Sequence, residues 1–394
     1  MPSLLQIFLT ALRLGCTSFG GPVAHLAFFR KEYVERQRWL DDAEFADLVA
    51  LCQFLPGPAS SQTGFGIGWL KRGLAGGLAA WVGFTLPSAL LMLAFAAGVA
   101  ALGDLAHAGW LHGLKAAAVA VVAQAVWLMS RTLCPDWPRR ALAVGAAAVV
   151  FFVPLAWSQV AVIAAGALAG MALFRGEVPP RGAATGAAVK IDARRGTRAG
   201  SAWLALFFAL LMGLPLLAGA TDNVWAALVD KFYRVGSLVF GGGHVVLPLL
   251  EREVVGPGWL TADQFLAGYG AVQAVPGPLF TFSAYLGALH PGGGSGGLVA
   301  LLAIFLPALL LVLGVLPWWQ TLRHQPRAQA ALRGANAAVV GVLLAALIDP
   351  VGTSGLTSIA TTLIAAGAFA ALQFTRTPVW LVVMASALLG QLLL

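Results

Sequence analysis

Leu51-Cys-Gln-Phe-Leu-Pro-Gly-Pro-Ala-Ser-Ser-Gln62 returns 220 residues later as Ala271-Val-Gln-Ala-Val-Pro-Gly-Pro-Leu-Phe-Thr-Phe282. Proline lacks an amide hydrogen and blocks the turn before it, so no helix passes through Pro-Gly-Pro. The flanks are apolar and do not alternate with period two, so they read as helices. Upstream, Arg13-Leu-Gly-Cys-Thr-Ser-Phe-Gly-Gly21 lies on Arg234-Val-Gly-Ser-Leu-Val-Phe-Gly-Gly242. Downstream, Gly76-Gly77-Leu78 and Leu86-Pro87 fall on Gly296-Gly297-Leu298 and Leu306-Pro307. Shared order and spacing mark an internal repeat.

The 394 residues are 59% hydrophobic and only 10% charged, against roughly 25% charged in a soluble domain. Apolar stretches long enough to cross about 30 Å of hydrocarbon recur throughout. Backbone groups in lipid must pair internally, which leaves helices or closed barrels, and the missing alternation removes barrels. The formal net charge of +8 resides between apolar segments, as in cytoplasmic membrane loops. No basic face with aromatic platforms exists, so no nucleic-acid partner is expected. Cys16, Cys52 and Cys134 match no metal or disulfide spacing. No cofactor, metal or enzyme activity is expected, because the spans offer no carboxylate pair or nucleophile–base set in register. The first apolar run carries Arg13 and continues into the repeat motif, so no cleavable signal is read there.

Lys and Arg distribution sets orientation. Loop 30–38 carries Arg30, Lys31, Arg36 and Arg38, whereas its partner 251–258 carries only Arg252. Loop 103–112 has neither residue, and its partner has Arg323, Arg327 and Arg333. Positive loops stay inside. The expected fold is therefore an all-α polytopic membrane protein of two inverted-topology repeats with broken or re-entrant helices, joined by a basic cytoplasmic linker. The halves are read as 1–175 and 221–394, the linker as 176–200, and a connecting transmembrane helix as 201–220. Nine full crossings are expected, with four further segments, two per half, that begin and end on one side.

Residues 42–72 are one such segment. Each arm flanking Pro56-Gly57-Pro58 has about 14 residues, or about 21 Å at the helical rise, too short for a full crossing. Pro276-Gly277-Pro278 does the same from the other side, and Phe19-Gly20-Gly21 and Phe240-Gly241-Gly242 are a second pair of breaks. A helix that starts after a break aims free amides and a positive dipole end at the tip, which suits an anion. The candidate site therefore comprises Gln53, Pro56, Gly57, Pro58, Ser60, Ser61, Gln273, Pro276, Gly277, Pro278, Thr281, Gly20, Gly21, Gly241 and Gly242. Arg13 and Arg234, matched near the breaks, join it as candidates. Alternatives stay open: a tight loop between two short spans, close packing at the Gly-Gly pairs, hydroxyls bonded to their own turn, and interfacial arginines. His25 and His244 are not register partners and read more readily as packed residues than as proton-sensitive ones.

Phe19-Gly-Gly-Pro-Val-Ala-His-Leu-Ala-Phe-Phe-Arg30, the run Leu51–Gln62, Phe240-Gly-Gly-Gly-His-Val-Val-Leu-Pro-Leu249 and Val275-Pro-Gly-Pro278 together resemble the chromate ion transporter family in its long two-domain form. The likeness covers nearly the whole chain. It implies a multi-pass protein of a bacterial inner membrane that exports chromate and confers chromate resistance. Sulfate is implied as a competing relative, and sulfate or other oxyanion import or exchange is the alternative function. The implied partners are the oxyanion and the lipid bilayer, with a homodimer left open. The halves differ at Pro22/Gly243, Cys52/Val272 and Ser60/Phe280, which argues against a fully symmetric pocket.

Overall fold

The computed structural model describes residues 1–102, 108–153, 158–175, 193–240, 243–290, 292–322 and 325–394. Most of the expected linker, Gly241 and Gly242, the 154–157 loop, and parts of the 103–112 and 320–333 loops lie outside the described residues.

The first half contains α1 (Leu4–Thr17) and α2 (Gly21–Phe29), which continues as a π-helical stretch, Arg30–Arg36. Next come α3 (Asp42–Phe54), α4 (Ala59–Leu102), α5 (Gly109–Leu133), α6 (Trp137–Phe152) and α7 (Ser158–Leu173). Helix α8 (Ala193–Ala220) follows. It begins earlier than the expected 201, taking in Arg194, Arg195 and Arg198, because Ala and Arg are strong helix formers and no proline intervenes, and the helix runs through Gly196 and Gly200 at a cost of about 1 kcal/mol each. The second half repeats the order: α9 (Val224–Leu238), a 3-10 turn at Gly243–Val245, α10 (Val246–Val254), α11 (Ala262–Gln273) and α12 (Phe282–Leu289). It closes with α13 (Gly293–Val315), α14 (Trp319–Leu322), α15 (Pro326–Ala346), α16 (Thr353–Gly355), α17 (Ile359–Phe374) and α18 (Val379–Leu393). Among the described residues no strand occurs, and five helices are long and apolar enough to cross a membrane.

Helix α4 is not one rod. Arg72 and Gly73 leave helical geometry, with Gly73 at φ +61°. The chain doubles back there, so Gly76 lies on the Gly68 carbonyl and Gly77 on the Phe65 ring. Residues 59–71 and 74–102 are thus antiparallel arms. The second half turns likewise between α12 and α13, where Gly287 and Gly296 touch. Both reversals use glycine because a side chain would hold the arms apart.

The second arm of α4 and helix α13 then cross. The Trp81 and Phe305 rings are 5.5 Å apart, and Gly297 lies against Leu93. Rising numbers on one helix meet falling numbers on the other, so these two helices, which occupy corresponding places in the halves, run antiparallel. Each half also leans on the other's end. Helix α5 packs on α17 and α18, and α15 packs on α6 and α7. The close approaches are Gly109 on Gly390 and Gly113 on Ser386, and Gly166 on Ala338 and Gly170 on Ala330. Outward faces are apolar: Leu90, Leu168, Leu216 and Leu388 are each more than half exposed, as lipid contact requires.

Candidate functional site

Both arms that lead to a Pro-Gly-Pro tip start with the same device. Asp41 and Glu44 form a capping box on α3, and Thr261 and Gln264 form one on α11. Such boxes satisfy two orphan donors and fix the helix start. Each arm is also held by the other half through a carboxylate. Trp319 Nε1 donates to Asp47 Oδ1 at 2.9 Å, and Lys115 Nζ donates to Asp263 Oδ1 at 2.7 Å.

At the tips, Gly57 has φ +120° and Gly277 φ +101°, a region side-chain-bearing residues avoid. The Gly57 amide donates to the Val239 carbonyl at 2.7 Å, and the Gly277 amide to the Ser18 carbonyl at 2.9 Å. Ser18 and Val239 follow α1 and α9, so each bond is the other carried from one half to its counterpart. The surroundings correspond too. A Cβ on Gly57 would lie 2.8 Å from Ala308 Cβ, and one on Gly277 would lie 3.2 Å from Ser88 Cβ. The interrupted segment of each half is thus clasped to the broken segment of the other.

Four helix starts converge on this clasp. A Cβ on Gly243 would lie 3.5 Å from Leu279 and 3.7 Å from Pro22, which brings together the starts of α2, of the 243–245 turn and of the turn leading into α12. His25 Nδ1 pairs with Ser60 Oγ at 3.3 Å, tying in the start of α4. The Gly57 and Gly277 amides are engaged in the clasp, which leaves as donors the amides of the helices that start after each break, where the sequence reading put them. First-turn amides have no acceptor within their own helix; on α4 these belong to Ala59, Ser60 and Ser61.

The expected site residues separate by environment. Gln273 Nε2 and Ser61 Oγ are buried without a hydrogen-bond partner. Gln53, the counterpart of Gln273, is exposed. Thr281 Oγ1 donates to the Pro278 carbonyl at 2.8 Å, as Ser283 does to Phe280 and Thr63 to Ala59, so these hydroxyls satisfy their own turns. Pro56, Pro58, Pro276 and Pro278 frame the tips. Gly20 caps α2 at φ +98° and Gly21 follows at φ +78°. Arg13 pairs with Glu32, and Arg234 with Asp230 at 2.8 Å and Glu253 at 3.3 Å. Glu32 and Glu253 are register partners, so the same ion pair is built twice, and both arginines already have carboxylates.

Sequence reading missed several polar groups at this centre. Ser18 Oγ, Thr85 Oγ1 and Gln62 Oε1 are buried without partners. Gln62 Nε2 donates to the Pro56 carbonyl at 2.9 Å and bridges to Ala308 across the halves. His25 Nε2 is buried without a hydrogen-bond partner. The available signal was position: Ser18 is the first residue past α1, and His25 lies one turn inside α2. Unpaired buried polar groups are costly, and a cluster of them at converging helix starts suits a polar solute.

The family model described as "Chromate transporter" matches residues 5–171 and again 226–391. A chromate transport protein of Pseudomonas aeruginosa is 29% identical over 360 residues, covering 87% of this chain and 80% of that protein. One of Cupriavidus metallidurans is 27% identical over 361 residues, covering 88% and 82%. An uncharacterized transporter of Methanocaldococcus jannaschii is 26% identical over 349 residues, covering 88% and 84%. No solved structure matches. Two copies of one family unit on either side of α8, in a chain of apolar helices, make this multi-pass membrane protein a member of the chromate transporter family.

Proposed function

We propose that this chain carries chromate out of the cytoplasm, by alternating access between two inverted halves, and so confers chromate resistance. The observation that carries the reading is the buried, unpartnered Gln273 Nε2 beside Pro276-Gly277-Pro278, where helix starts of both halves meet. A dianion deep in a membrane needs donors already in place, because leaving water is otherwise prohibitive. Helix starts supply them without a full opposing charge. Ser18, Ser61 and the first-turn amides of α4 complete the proposed cradle, with the remaining tip and break residues shaping it. The relatives named as chromate transport proteins supply the substrate.

Inversion is supported by the antiparallel crossing of the second arm of α4 with α13. In this proposal residues 1–175 and 221–394 are the two halves, 176–200 is a cytoplasmic linker, and the 201–220 helix is the extra crossing that turns the second half over. The field favours export: one charge moved through 100 mV is worth about 2.3 kcal/mol, so a dianion leaving a negative interior gains about 4.6 kcal/mol.

Uptake of radioactive chromate into everted vesicles, with and without an imposed potential, tests this. Accumulation that rises when the lumen is made positive is expected; none in vesicles of either polarity removes the proposal. Excess sulfate, a dianion of the same shape, measures how far the cradle separates the two. The half-sites should also contribute unequally. A lost hydrogen bond to a charged group is worth about 1.5–3 kcal/mol, so Gln273→Ala should raise KM roughly ten- to hundredfold. Gln53→Ala should change it less than about twofold, because an exposed amide has water as an alternative partner. Equal effects would contradict the unequal half-sites.

A further inference from the structure

We infer that the groove between α1 and the α2–π-helical segment holds one anionic phospholipid, with its phosphate at Lys31 and Arg36 and an acyl chain along Phe28. The groove has a volume of about 430 Å³, and Arg13, Thr17, Phe28, Lys31 and Arg36 form part of its wall. It opens on the outside of the helix bundle. Leu5 and Leu9 are 65% and 50% exposed, and the Arg13 side chain is 45% exposed. These three residues recur every fourth position on one face of α1. Across the groove, Phe28 is 40% exposed, and Lys31 and Glu35 continue its exposed face. In a membrane protein such an apolar outward stripe meets lipid.

The charges are arranged so that one cation is left over. Glu35 is paired with Arg30 at 2.6 Å. Glu32, whose side chain is 8% exposed, is shared by Arg13 and by Arg36 at 3.5 Å, and Gln37 also donates to it at 3.0 Å. Among the described residues Lys31 has no carboxylate partner. An ammonium without a counter-ion, next to an apolar ring on a lipid-facing wall, complements a phosphodiester that carries its own hydrocarbon. The corresponding position in the second half is filled differently: Arg252, the counterpart of Lys31, donates to Ser158 Oγ at 2.9 Å. The lipid site therefore belongs to the first half alone. A soluble anion would find the same cation but gain nothing from Phe28, Leu5 or Leu9, so the lipid is the favoured occupant.

The test is native mass spectrometry of the purified full-length chain, delipidated and then offered phosphatidylglycerol or phosphatidylcholine. One retained phosphatidylglycerol and no retained phosphatidylcholine are expected. Lys31→Ala should weaken retention roughly fivefold, the effect of one cation near a charged bilayer surface, and Lys31→Arg should restore it. Lys31 is an exposed side chain, so both variants should fold, and an unchanged melting temperature without lipid checks this. Equal retention of phosphatidylcholine would overturn the inference, as would Lys31→Ala retention at the level of the parent chain. So would glycerophosphate binding as well as the whole lipid, since that would make the groove a free-anion site.

Discussion

Gly57→Val and Gly277→Val will each reduce chromate transport to background, and each purified variant will melt well below the parent chain. Both glycines hold a positive φ, where an ordinary residue costs about 1–2 kcal/mol. Both also face a wall. A Cβ on Gly57 meets Ala308 Cβ at 2.8 Å, and one on Gly277 meets Ser88 Oγ at 2.8 Å. Overpacking of this kind adds about 1–3 kcal/mol. The strain falls on the two amides that bind the halves together. Gly73 provides the contrast, because its φ of +61° has nothing within 4 Å of a new Cβ. Gly73→Ala should therefore cost only the backbone part and leave transport measurable. Room can be restored across the clasp: Ala308→Gly should partly rescue Gly57→Ala, and Ser88→Gly should partly rescue Gly277→Ala. If Gly73→Ala proves as damaging as Gly277→Ala, the crossed contacts are not what the glycines serve.

Asp263→Asn should destabilise the protein by about 3 kcal/mol, because it leaves the ammonium of Lys115 buried without a counter-charge. Lys115 is 3% exposed, whereas the Asp263 side chain is 47% exposed. The cost is therefore lopsided. Lys115→Met leaves a carboxylate that water can reach, and should cost no more than about 1 kcal/mol, as for an exposed pair. The double variant Lys115→Met/Asp263→Asn should melt near the Lys115→Met level rather than below Asp263→Asn. Strict additivity of the two single changes would show that the residues do not act as a pair. The pair links α5 of the first half to the entering arm of α11 in the second, so chromate transport should fall with Asp263→Asn and recover in the double variant.

The helix ends were legible because proline and glycine act locally. Pro56-Gly57-Pro58 and Pro276-Gly277-Pro278 interrupt their helices, whereas the lone Pro87 and Pro307 sit inside α4 and α13, and Gly20, Gly57 and Gly277 take backbone angles that other residues resist. The all-helical membrane class followed from composition for a similar reason: lipid offers the backbone no partner. The reversal at Arg72–Gly73 lay where the sequence reading put the end of a segment that starts and finishes on one side.

Partner choice was not legible. Nothing in the spacing said that the Gly57 amide would bond to Val239 and the Gly277 amide to Ser18, because those bonds exist only once the halves interlock. Gln53 and Gln273 are equals in sequence, and packing exposes the first and buries the amide nitrogen of the second. In sequence Arg13 and Arg234 stood equally as anion partners near a break and as interfacial arginines. Their register-matched carboxylates, Glu32 and Glu253, sit on separate helices and reach them only in three dimensions. Ser18 and His25 were passed over because a lone hydroxyl or imidazole in an apolar run is usually a packed residue.

A pair of electron cryomicroscopy maps of the full-length chain in lipid nanodiscs, with and without chromate, tests the central claim most directly. The account predicts added density at hydrogen-bonding distance from Gln273 Nε2 and the Ser60–Ser61 amides, between tips that enter from opposite faces of the disc. Density confined to the Arg13–Lys31 groove, or one unbroken helix through residues 54–60, would contradict it.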